Sequence, residues 1–178
     1  LTVFLNSRYH STVMSDRAPE FIDPVSLSAR GLSYQGDKPL SCMQRLCDSL
    51  SDCGGSARYE LEFLQEGRLH VIHGRIKAKL VLQCQNCLEE LILTVDSQLK
   101  LGAVRTLEEV SRLSDAYEPL LMQDRKIALK DIIEEELLLA LPIIPKHEYC
   151  GIDRQDFTAT DEKPNPFSIL VDLKKDWR

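Results

Sequence analysis

Residues 80–95, LVLQCQNCLEELILTV, set two cysteines, Cys84 and Cys87, between two runs of alternating apolar residues. Strand side chains alternate between faces, so a period of two marks a half-buried strand, and the cysteines fall where one strand hands over to the next. A Cys-x-x-Cys there can be half of a zinc site, a redox pair, or two small core residues at a turn.

Working outward, the same period continues on both sides. Upstream, Ile72, Gly74, Ile76, Ala78, Leu80 and Leu82 share one face, and His73, Arg75, Lys77 and Lys79 share the other. Further back, Ala57, Tyr59, Leu61 and Phe63 oppose Arg58, Glu60 and Glu62, and Gln65-Glu66-Gly67 reads as the hairpin turn. Downstream, Leu91, Leu93, Val95, Leu99 and Leu101 share a parity. These three segments predict an antiparallel meander with one face buried and one wet.

The flanks carry helical signals. Asp23 before Pro24 fits an N-cap followed by proline in the first turn, with Gly36 as the stop. Leu40, Met43, Leu46, Cys47 and Leu50 recur at helical spacing until SDCGG breaks the pattern. Residues 104–116 are polar, helical at best, and read as a mobile excursion. A short strand over 126–129 leads into a helix from about 131 to 141. Ile132, Ile133, Leu137 and Leu141 would face its core, Glu134 and Glu135 would lie outward, and Pro142 and Pro145 would stop it. The segment from His147 reads as loop, and PNPFSILVDLKK as a short closing helix. The expected class is α+β: an antiparallel sheet, partly closed or covered by helices, with flexible termini.

A chain of 178 residues, 43% hydrophobic and 28% charged, suits one soluble domain with a real core. The longest apolar candidate, residues 127–141, is interrupted by Lys130, Asp131 and three glutamates, so no transmembrane helix is expected. Residues 1–13 lack the basic start and sustained apolar centre of a secretory signal. They read as an extension or a disordered start ahead of Met14. Residues 14–178 then form a single domain with a mobile C-terminal arm. Without a signal the six cysteines are placed in a reducing cytoplasm, where clustered thiols bind metal or stay reduced. The net charge of −6 argues against a generic basic nucleic-acid binder, though not against a local basic face.

Zinc needs four ligands, commonly two short-spaced pairs closed by turns. His147-Glu-Tyr-Cys150 supplies a second pair, so Cys84, Cys87, His147 and Cys150 form a candidate structural zinc site. The plain alternative is two small buried thiols at a strand end and a solvated loop, and the residues leave both open. A redox role is weaker, because no helix follows the Cys-x-x-Cys to lower a thiol pKa. Cys42, Cys47 and Cys53 read as core or reduced thiols. His70 and His73 point to opposite faces of one strand and cannot readily share a metal.

The stripe His73, Arg75, Lys77, Lys79 is a candidate footprint for RNA phosphates. The plain alternative is the solvated face of an amphipathic sheet. Lys163, Lys174, Lys175 and Arg178 add a second basic patch. Glu134 and Glu135 could contact a basic protein partner; three consecutive glutamates are also an ordinary solvated helix face. Among the sequence patterns there is no Gly-rich phosphate loop, nucleophile elbow or His-Glu-x-x-His, so no catalytic residue is assigned.

The pieces LQCQNC, DAYEP, DIIEEELLLALPIIPKH and KPNPFSILVDLKK together resemble the YceD family, the large ribosomal RNA subunit accumulation proteins. The resemblance runs from Met14 to Lys175, and family members tend to begin near the position of Met14. It implies a non-enzymatic cytoplasmic factor for synthesis, processing or stability of 23S ribosomal RNA. That factor would bind the RNA or a large-subunit ribosomal protein, with no small-molecule substrate. A protein-only adaptor working through the acidic helix is the alternative.

Overall fold

The computed structural model describes residues 12–13 and 18–150. In chain order it contains β1 (Thr12–Val13), β2 (Phe21–Ile22), α1 (Pro24–Arg30), β3 (Leu32–Pro39), a 3-10 turn (Leu40–Cys42) and α2 (Gln44–Cys47). Then follow β4 (Ser56–Glu66), β5 (Leu69–Gln83), β6 (Glu90–Val104), α3 (Leu107–Val110), β7 (Glu118–Leu121), β8 (Ile127–Ala128) and α4 (Leu129–Leu139). Residues 1–147 make one compact unit; of the second, 148–178, three residues are described. The closing helix expected near the C-terminus, and Lys163, Lys174, Lys175 and Arg178, lie outside the described residues, as do residues 1–11.

The meander is the centre of the fold. The six-stranded sheet runs β1-β3-β4-β5-β6-β7, antiparallel from β3 to β6 and parallel at both edges. β2 and β8 form a separate antiparallel pair. The sheet is open rather than closed, and the fold class is α+β. Thr12 and Val13, placed ahead of the domain by the sequence reading, pair with Leu32 and Ser33.

One face of the sheet is dry. Tyr59, Leu61 and Phe63 on β4, Ile72, Ile76 and Leu80 on β5, and Val95 and Leu99 on β6 are buried there, as their parity predicts. They pack with Leu27 of α1, Leu40, Met43 and Leu46 around α2, and Leu129, Ile132, Ile133 and Leu137 of α4. Each large side chain so buried contributes about 1.5–3 kcal/mol.

Several boundaries move for identifiable reasons. Asp23 Oδ1 accepts the Ser26 N–H at 3.2 Å, as an N-cap should. The helix ends at Gly31, not Gly36, because Gly31 adopts the left-handed cap conformation, with φ at 61°. Residues 32–39 are therefore strand, and Gly36 lies within it, where a Cβ would meet the Tyr59 hydroxyl. The β4–β5 turn is Gly67-Arg68, with Gly67 at φ 62°, so Gln65 and Glu66 remain paired in the ladder. The excursion expected over 104–116 is tied to the sheet: Val104 ends β6, and the Leu113 side chain fills the space a Cβ on Gly102 would need. Cys47 and Cys53, read as core or reduced thiols, are brought side by side with Cα atoms 5.5 Å apart, which draws the SDCGG loop onto α2.

The helix α4 starts two residues before its expected position and carries the main difference in side-chain placement. Glu134, expected outward, is 5% exposed. The cause is α2, a four-residue helix with no side-chain cap of its own. Its orphaned N–H at Leu46 needs an acceptor, and Glu134 Oε1 supplies one at 3.1 Å. Glu135 stays on the surface and takes the Arg45 guanidinium at 2.9 Å.

Candidate functional site

The Cys84–Cys87 segment is a tight knuckle between β5 and β6. The Cys84 N–H donates to Glu89 O and the Leu88 N–H to Cys84 O, both at 2.9 Å. Leu88 takes φ 64°, an uncommon conformation for a residue with a side chain, to complete the turn. The Gln85 N–H donates to Pro145 O at 2.8 Å. That bond ties the knuckle to the chain that Pro142 and Pro145 have released from α4, and so delivers His147.

The donor geometry is specific. Cys84 is fully buried, and its Sγ accepts the N–H groups of Asn86 and His147, each at 3.4 Å. Backbone N–H groups aimed at the sulfur are outer contacts of the kind that hold a metal ligand in place. Cys87 Sγ stands 3.3 Å from His147 Nδ1. His147 Nε2 lies 3.0 Å from the Glu90 carbonyl, which can only accept, so Nε2 carries the proton and Nδ1 presents its lone pair. Metal-bound histidines are commonly held in one tautomer by such an outer hydrogen bond. With Cys150, three residues on, the four ligand atoms lie within 4.8 Å of one another. A tetrahedral zinc site with three sulfurs and one nitrogen has ligand–ligand edges of about 3.5–3.8 Å. The group could hold a metal ion after a contraction of about 1 Å along its longest edge.

The basic stripe lies on the wet face, but not in isolation. Lys77 sits between Arg58 and Asp96 in the ladder, Arg75 between Glu60 and Gln98, and His73 between Glu62 and Lys100. Arg75 makes a two-pronged pair with Asp96 at 2.7 and 2.8 Å, and Lys77 Nζ is 3.6 Å from the same carboxylate. Asp96 is held below the ordinary aspartate pKa, first by the hydrogen bond from Arg75 and then by the charges of Arg75 and Lys77. Lys79 faces Thr94. His73 stacks on Tyr117 with ring centroids 5.9 Å apart. Burial, and then Glu66, push the Tyr117 hydroxyl pKa up. His70 turns to the other side of β5 and lines a cleft that the sequence did not reveal.

These features define an α+β protein with an open, mostly antiparallel sheet and a Cys/His cluster at the end of its longest hairpin. The family model described as "Large ribosomal RNA subunit accumulation protein YceD" matches residues 72–174. The chain belongs to the YceD family. It is 30% identical over 169 residues to the Large ribosomal RNA subunit accumulation protein YceD of Haemophilus influenzae, covering 89% of this chain and 97% of that protein. No solved structure matches the chain. No helix among the described residues is long and apolar enough to cross a membrane.

Proposed function

We infer that this protein is a non-catalytic cytoplasmic factor that supports accumulation of 23S ribosomal RNA by binding the RNA or a large-subunit ribosomal protein. The observation that carries this reading is membership of a family named for that role. The wet sheet face is the RNA-facing surface, with His73, Arg75, Lys77 and Lys79 as its phosphate contacts. A structural zinc ion on Cys84, Cys87, His147 and Cys150 locks the β5–β6 knuckle to the segment that follows α4. The donor set of soft thiolates and one oriented imidazole supports zinc over a hard cation.

A protein partner has its own observation in favour. Leu139, Ile143 and Ile144, at the end of α4 and just beyond it, are large, apolar and exposed, beside Glu135 on the same helix. Glu134 contributes no surface charge to such a contact, since it is consumed by Leu46 and Arg45. Crosslinking in cells, with identification of both RNA and protein recovered, tests the proposal. Recovery of large-subunit RNA supports the RNA arm. Recovery of protein alone transfers the function to the adaptor arm, and recovery of neither from growing cells ends the reading.

A further inference from the structure

We propose that the cleft at the β4–β5 turn, lined by Arg68, Arg105 and Arg112, is a binding site for the backbone phosphates of an RNA strand. The three arginines reach it from separate segments: the hairpin turn, the end of β6, and the residue pair after α3. All three are exposed, and among the described residues no carboxylate lies within ion-pair distance of their side chains. The one acid lining the cleft, Glu109, is already engaged: its Oε2 accepts the Arg105 backbone N–H at 2.7 Å. Glu109 keeps its charge but lies beyond ion-pair distance of the three guanidinium groups, so it cancels less of their charge than Asp96, paired directly with Arg75 and Lys77, cancels on the stripe.

The cleft is also built rather than incidental. Its volume of about 620 Å³ falls in the range of ligand pockets. Leu113 is seated against Gly102, which fixes the chain that carries Arg112. The Met122 N–H donates to Val104 O at 2.8 Å, closing the wall behind Arg105. His70, a lining residue, buries its Nδ1 with no hydrogen-bond partner among the described residues. A buried polar atom left in this way is unfavourable until a ligand satisfies it. Guanidinium forks match phosphate oxygens in two-pronged geometry. The apolar lining from Leu69, Val104 and Met122 can cover a ribose or a base edge. The adjoining hollow around Arg125 differs in this respect, because Asp23 pairs with Arg125 at 2.8 Å.

The proposal rests on the RNA reading above, and the test separates the two. A labelled ten-nucleotide oligouridylate is titrated into the full chain over a salt series. The parent should bind it saturably. Arg68→Gln/Arg105→Gln/Arg112→Gln should bind at least about tenfold more weakly at low salt, with a log–log salt slope smaller by about 2, three phosphates at ~0.7 each. Arg112→Glu alone should reproduce the loss, and its melting point shows whether the fold is intact. Equal binding by a folded triple variant overturns the cleft and leaves the RNA reading standing. An oligouridylate that the parent does not bind also overturns the cleft, while crosslinking in cells decides the RNA reading independently.

Discussion

The Leu46 N–H donates to Glu134 Oε1 at 3.1 Å, joining two helices whose partners lie 88 positions apart in the chain. This bond converts a residue of an apparently solvated acidic face into the cap of a helix too short to cap itself. Arg45 Nε, 3.6 Å from the other carboxylate oxygen, keeps the buried charge compensated.

Glu134→Ala leaves the fully buried Leu46 N–H without an acceptor and should cost about 1–3 kcal/mol. Glu134→Gln keeps an acceptor oxygen and should cost less. Glu135→Ala, on the surface beside it, should leave stability within about 0.5 kcal/mol. Thermal melts of the three variants check the order; equal melting points for Glu134→Ala and Glu135→Ala would show that the inward bond carries nothing.

Gly74 sits in the middle of β5 with Leu61 directly across on β4 and Leu99 directly across on β6. A Cβ there would stand 3.0 Å from Leu99 Cγ and closer still to Leu61 Cδ2. Gly74→Ala should overpack the core by about 1–3 kcal/mol, lowering Tm by roughly 3–10 °C. Gly74→Ala in a Leu61→Val background should recover part of that loss. A single variant that melts with the parent would mean the leucines move aside at no cost.

The meander was legible because each strand has one wet face and one dry face, which writes a period of two into residues 57–101. β3 was not, since Gly36 interrupts its inward series of Leu32 and Tyr34 and reads as a stop signal instead. β2 and β7 are too short to show a period, whereas β8 falls inside the short strand expected over 126–129. The Cys/His cluster was legible as two short-spaced pairs, each following a structured element. Glu134 was not, because the N–H that draws it inward belongs to a helix formed by residues 44–47. The arginine cleft left no signal in the sequence either. Its residues come from three turns, and no periodicity links Arg68 to Arg105 and Arg112.

Protein purified without chelator should contain about one zinc per chain by elemental analysis. Zinc binding to a site absent from the unfolded chain is folding free energy, so chelation should lower Tm by at least roughly 5 °C. Cys84→Ser, which alters the most buried ligand, should lose both the metal and the chelator response. Cys42→Ser, at an exposed position away from the cluster, should keep both. A metal-free protein whose melting is indifferent to chelator would return the four side chains to the plain reading of packed thiols and a polar loop.

Asp96 decides how much of the basic stripe is available to a polyanion. Its folded pKa lies below the ordinary aspartate value because Arg75 hydrogen-bonds to it. The contribution of this pair to stability is therefore complete above the unfolded pKa of about 3.9 and is lost as pH falls through the lower, folded value. At neutral pH the carboxylate is charged and competes with phosphates for Arg75 and Lys77. Asp96→Asn should thus tighten RNA binding at pH 7 and steepen its salt dependence. Arg75→Gln/Lys77→Gln/Lys79→Gln should do the reverse, flattening the slope by up to about 2. Both variants should melt within about 1 °C of the parent, since exposed pairs add little to stability. The diagnostic feature is the opposite sign of the two effects, read by anisotropy over a salt series at pH 7. If both variants bind RNA as the parent does, the stripe is a solvated sheet face, and the phosphate contacts lie elsewhere on the molecule.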